Sequence, residues 1–141
     1  VLAKTALLLL FWTIGYGLCF GITFGYNAYY WDNSIAYNLF PAITVWWLFG
    51  VWVICHIVLF SVMLQNNAGV SLCAGGVFLV AYLFCIIPQS KPYSPAMLMD
   101  SGSLLSVSSG LEAYIKAIII AAAFSIVCVA VSTPVMNRKQ L

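Results

Sequence analysis

The sequence predicts an all-α membrane protein with four transmembrane helices and short outer-surface or re-entrant helices between the third and the fourth. Three observations predict it. First, 65% of the 141 residues are hydrophobic and only 6% are charged, against about 25% charged in an ordinary soluble domain. A soluble fold of this length leaves much of its surface in water and could not hide so much apolar area, so for much of the chain the solvent is lipid. Second, the apolar residues gather into runs of bilayer length, which takes about 20 residues rising about 1.5 Å each. Third, prolines and polar turns cut those runs into four. The same composition excludes a disordered chain, which would be polar and charged. A net charge of +2 with no basic cluster leaves no footprint for nucleic acid.

Taken in order, the first span is expected at about 2–25, since nothing from Thr5 to Trp31 is charged. It resembles a signal peptide only superficially: it is too long for an h-region and lacks a small-residue cleavage site. The stretch Asn27–Ser34 is polar and aromatic, as befits an interfacial loop. Pro41 opens the second span, about 41–64, because proline suits a first helical turn. Gln65-Asn66-Asn67-Ala68-Gly69 makes a short turn, the third span covers about 70–87, and Pro88 ends it. The segment 89–110 mixes Pro92, Pro95, Asp100 and serines with Met97, Leu98 and Leu104. That mixture fits short helices at the membrane surface or dipping into it. The last span is expected at about 111–133, closed by Pro134. All of 1–141 forms one transmembrane domain, and the opening on Val1 rather than methionine points to a piece of a longer chain.

With four spans both chain ends share one side. Lys4, Arg138 and Lys139 fall there without an acid, whereas Asp32, Asp100 and Glu112 fall on the other side beside Lys91 and Lys116. The positive-inside rule then places both ends in the cytoplasm.

Few residues carry chemistry. His56, the only histidine, sits mid-span, and an intramembrane ionisable residue is a functional candidate by default. It could serve as an axial haem ligand, a quinone contact or part of a proton path. No second histidine exists for bis-histidine haem, and a neutral imidazole can simply hydrogen-bond a neighbouring helix. Gly17, Gly21 and Gly25 share one face of the first helix, a ridge that admits a close helix, in this chain or in a partner. Gly75 and Gly76 allow the same in the third span. Trp46, Trp47 and Trp52 read as interfacial anchors, or with His56 as the lining of a path for an amphipathic substrate. Glu112 and Lys116 have the favourable order for an i,i+4 ion pair. The five cysteines lie in apolar runs with no CxxC pair, which reads as small buried hydrophobes rather than zinc ligands. The chain has no catalytic triad and no GxxxxGK[ST] phosphate loop, so no catalytic, cofactor or metal residue is assigned.

One resemblance adds to this reading. Ser61-Val-Met-Leu-Gln-Asn-Asn-Ala-Gly69 comes before an apolar span. Ile87-Pro-Gln-Ser-Lys-Pro-Tyr-Ser-Pro95-Ala-Met-Leu98 follows that span, and the chain ends in Ser132-Thr-Pro-Val-Met-Asn-Arg138-Lys139-Gln-Leu141. Together these resemble the carboxy-terminal half of an ABC-type-2 transporter permease, as found in Gram-positive bacteria. The resemblance implies a six-span plasma-membrane exporter subunit that pairs with a second permease copy and a separate ATPase, which holds the ATP. This chain would supply spans three to six, and 93–110 would match the short re-entrant helices before the last span. The family's first two spans and amino-terminal interfacial helix, which carry much of its ATPase contact, have no counterpart here. Rival expectations are a structural subunit of a larger membrane complex and a haem- or quinone-binding anchor built on His56.

Overall fold

The computed structural model describes residues 2–30, 39–105 and 112–139, the side chains at 101–105 and 137–139 excepted. Helix α1 spans Leu2–Tyr30, α2 Leu39–Met63, α3 Asn67–Ile86 and α4 Glu112–Lys139. All four are long and apolar enough to cross a membrane, and no strand occurs among the described residues. The fold is all-α, with 3-10 segments at Lys91–Tyr93 and Pro95–Leu105 joining α3 to α4.

The helix ends differ from the sequence expectation in ways that lipid explains. α1 continues past Gly25 to Tyr30, because no helix breaker intervenes and unbonded backbone is costly near hydrocarbon. The extra turn carries Tyr26, Tyr29 and Tyr30, whose rings pack together at 4.5–5.0 Å. The rest of the expected aromatic loop, 31–34, lies outside the described residues. α2 begins two residues before Pro41, which still falls among the first four residues, whose N–H groups have no intrahelical partner. α3 starts at Asn67, where the Asn66 side chain accepts the Ala68 N–H at 3.1 Å, an ordinary N-cap. Pro134 does not end α4 but lies inside it. Membrane helices tolerate internal proline when neighbouring hydroxyls engage the backbone. Just before the proline, Ser132 and Thr133 donate to the carbonyls of Cys128 and Val129 at 2.6 and 3.0 Å, one turn back from the break, while the carbonyl that loses its i+4 donor to Pro134 is that of Ala130.

Helix α2 is the centre of the bundle. α1, α3, α4 and the Pro95–Leu105 segment all pack on it, while α1 touches little else and α3 and α4 scarcely meet. Apolar burial cannot choose these contacts, since lipid tails are as apolar as leucine; close packing and hydrogen bonds decide. α4 meets this requirement with small residues at helical spacing: Ala117, Ala121, Ser125, Cys128 and Ser132 are all buried. The segment after α3 folds into the bundle instead of lying loose. Ala96, Met97 and Leu98 are buried, and Ser94 Oγ donates to the Ala81 carbonyl at 2.6 Å. The Tyr114 hydroxyl donates to the Asp100 carbonyl at 2.9 Å and ties the same segment to α4.

Candidate functional site

Three buried polar residues, His56, Ser125 and Ser132, lie on α2 and α4. His56 Nδ1 lies 2.9 Å from the Trp52 carbonyl oxygen. A carbonyl only accepts, so Nδ1 carries a proton. Its Nε2 faces Cys128 Sγ at 3.8 Å. The Trp52 ring lies 4.6 Å from the imidazole, and Phe124 stacks on the other side at 6.0 Å and 22°. Cys55, next to His56, reaches the Ser125 side chain. Both imidazole nitrogens are therefore engaged within the protein.

The hydroxyls explain why no wider polar network forms. Thr13, Thr23, Thr44, Ser125, Ser132 and Thr133 each donate to the carbonyl four residues back. Such back-bonding spends a hydroxyl's one proton inside its own helix and leaves only its lone pairs for a neighbour, as when Thr13 accepts from Trp47. Trp52 is the exception. Its side chain is 3% exposed, and its indole nitrogen has no hydrogen-bond partner among the described residues. A buried donor left unmet costs about 1–3 kcal/mol.

Trp52 and His56 form one wall of a cavity of about 360 Å³ closed on its other sides by Val77, Val80 and Phe84 of α3, Phe124 of α4, and Tyr93 and Ser94. Val80, Phe84 and Phe124 are half exposed, so the cavity opens sideways between α3 and α4. A second cavity of about 580 Å³ lies across α2, between it and α1, lined by Tyr16, Phe20, Ile43, Trp46 and Met99. On α1, Trp12, Tyr16, Phe20 and Phe24 form a ladder with successive ring centroids 5.7, 6.5 and 6.3 Å apart.

The sequence-derived candidates divide accordingly. Trp52 and His56 come together, whereas Trp46 faces the other cavity and donates to the Met99 carbonyl at 3.2 Å. Trp47 donates to Thr13 at 3.1 Å and belongs to the α1–α2 contact. Trp52 is no interfacial anchor: it is the fourteenth residue of a 25-residue helix and is buried. The Glu112–Lys116 ion pair does not form, because Lys116 reaches Tyr93 instead, 3.3 Å from its hydroxyl and 5.0 Å from its ring centroid. An ammonium over an aromatic face gains from the ring quadrupole. The observed ion pair joins Lys91 to Asp100 at 3.7 Å, and both side chains are about half exposed.

The expected packing of the glycine ridge inside this chain is not found. A Cβ at Gly17, Gly21, Gly25, Gly75 or Gly76 would meet nothing within 4 Å. The glycine that matters within the chain is Gly50, against whose α-carbon the Trp12 indole lies. Gly50 and the small face of α4 were not singled out from the sequence. The α4 face had a usable signal in its alanine, serine and cysteine spacing. Gly50 had none, since its partner stands 38 residues away in the chain.

No group of three or more His, Cys, Asp or Glu side chains gathers as a metal site among the described residues. Fold and site together define a multi-pass helical membrane protein. No protein-family model matches the chain, and no curated protein or solved structure matches it.

Proposed function

We propose that this chain is the membrane-spanning permease part of an ATP-driven exporter of the ABC-2 type, paired with a second permease copy and a separate ATPase subunit. The observation that carries the reading is the Pro95–Leu105 segment, a short kinked helical piece docked on α2 and α4 immediately before the last span. The permease resemblance calls for such short helices at that position. Two further features agree with it. The cavities flanking α2 open sideways and are apolar, as a route for an amphipathic substrate requires. The helices around α2 are loosely joined, which alternating access needs. In this reading the protein resides in the plasma membrane, with Lys4 and the basic tail in the cytoplasm and Pro95–Leu105 outside.

Purification from native membranes tests it. An ATP-hydrolysing subunit should copurify, and replacing that subunit's phosphate-loop lysine should stop export. Recovery in a large assembly with no ATPase would favour the second reading, a structural subunit. That reading has its own support in the uncovered glycine face of α1, which a neighbouring helix could fill.

A further inference from the structure

We propose that the cleft between Lys4 of α1 and the α2–α3 turn seats the head of an anionic phospholipid, drawn from the leaflet on the Lys4 side of the membrane. The inference goes beyond the exporter reading and does not depend on it, because its test reads only binding by this chain.

A cavity of about 500 Å³ lies at this end of the bundle, with Lys4, Leu8, Ile57, Ser61, Gln65 and Asn67 among its walls. The cleft is graded in depth. Gln65 falls between the second and third candidate spans and Asn67 opens the third, so both stand at the membrane boundary. Ile57 lies six residues before the end of α2 at Met63, about 9 Å deeper at about 1.5 Å per residue. Leu8 lies four residues past Lys4, about 6 Å deeper. The polar end therefore sits at headgroup level and the apolar end in hydrocarbon, which suits an amphiphile rather than a free ion. Leu8 and Ile57 are half exposed, so the apolar end opens to the bilayer and the acyl chains need not be enclosed.

The charge on the walls selects the head. Among the described residues Lys4 is the only charged one lining the cleft. It is exposed and makes no ion pair with another described residue. Its flexible stem lets the ammonium swing over the cleft mouth while the methylenes stay on apolar surface. Ser61, Gln65 and Asn67 are exposed beside it and supply donors for phosphate oxygens. Basic pockets between membrane helices bind acidic headgroups in this way. A zwitterionic head would bring a second, positive group that finds no acid on these walls.

The test uses the whole chain in neutral detergent, with lipid retention read by native mass spectrometry. The probes are phosphatidylglycerol and phosphatidylcholine with the same oleoyl chains. The unaltered chain should prefer phosphatidylglycerol about 5-fold, the worth of one lysine at an anionic surface. Lys4→Gln should remove that preference. Ser61→Trp, which keeps every charge and fills the cleft from an exposed position, should remove it too. Lys91→Gln takes the same charge from the far end of α3 and should leave it intact. Glycerophosphate in excess should not displace the lipid, because it lacks the chains that Leu8 and Ile57 meet. Equal retention of the two lipids by the unaltered chain would overturn the proposal. So would a preference that survives Lys4→Gln or Ser61→Trp, or one that falls as far in Lys91→Gln, the mark of charge attraction at any site. Displacement by glycerophosphate would overturn it in favour of a soluble anion. Should Ser61→Trp fail to fold, the contrast between Lys4→Gln and Lys91→Gln decides the matter.

Discussion

Trp12 lies on Gly50 so closely that a Cβ at position 50 would overlap the indole. The same indole donates to the Trp47 carbonyl at 3.3 Å, and Tyr16 donates to the Ile43 carbonyl at 2.9 Å. These contacts are how α1 is held to α2. Gly50→Leu should therefore drive the two helices apart and destabilise the chain by about 1–3 kcal/mol, as overpacking does elsewhere. Thermal unfolding in detergent reads the loss. An unchanged melting temperature would mean that α1 is held by something other than this contact.

Gly21→Leu should behave in the opposite way. Open space surrounds that position, so the isolated chain should keep its stability to within about 0.5 kcal/mol, as remote surface substitutions do. Assembly with a second copy or a partner helix should weaken. Cross-linking yield in native membranes measures the second effect, and a full yield in Gly21→Leu would show that this face meets lipid.

Ser94→Ala removes the 2.6 Å hydrogen bond to Ala81 and the acceptor of the Ala96 N–H at 3.3 Å. The expected cost is about 1 kcal/mol. The local sign is faster amide exchange at 96–99, with the rest of the bundle unaffected. Uniform exchange changes along the chain would show that Ser94 holds more than this segment.

His56→Gln retains a donor and an acceptor and should cost less than about 1.5 kcal/mol, as volume-conserving swaps do. His56→Ala leaves a void beside Trp52 and Phe124 and should cost about 2–5 kcal/mol, the range for emptied core sites. Equal loss in both variants would show that the imidazole itself, and not its volume and bonding, is required.

Topology is tested with introduced thiols at two exposed positions, Gln89 and Gln65, at opposite ends of α3. With both chain ends in the cytoplasm, a membrane-impermeant reagent applied to intact cells should label Gln89→Cys and spare Gln65→Cys. The reverse pattern would invert the orientation.

What the sequence disclosed and what it withheld follow from range. Four spans were legible because hydropathy is a property of continuous runs, and Pro88 and the polar Gln65-Asn66 pair mark their breaks locally. The ends of α1 and α4 were not: α1 meets no breaker before Tyr30, and the rule that proline stops a helix fails at Pro134, which stays inside α4. The Glu112–Lys116 spacing is a local regularity overridden by a distant one, Tyr93, 23 residues away. The glycine ridge misled for the same reason. Spacing shows that a helix could come close, but not that one does. His56 falls inside the second candidate span as expected, yet Cys128, which faces it, is 72 residues off, beyond any single-sequence pattern.

The placement of α2 has a mechanical consequence. α3 and α4 are clamped together at one end by the Pro95–Leu105 segment, which touches both, and they have no such tie at the other. The pair is built like a pair of tongs, stiff at the Ser94–Ala81 and Tyr114–Asp100 bonds and compliant toward Gln65. α1 is a separate spoke, hinged on α2 at Trp12 and Gly50. Widening of the α3–α4 gap should grow with distance from Ser94, while α1 tilts without any other helix having to repack.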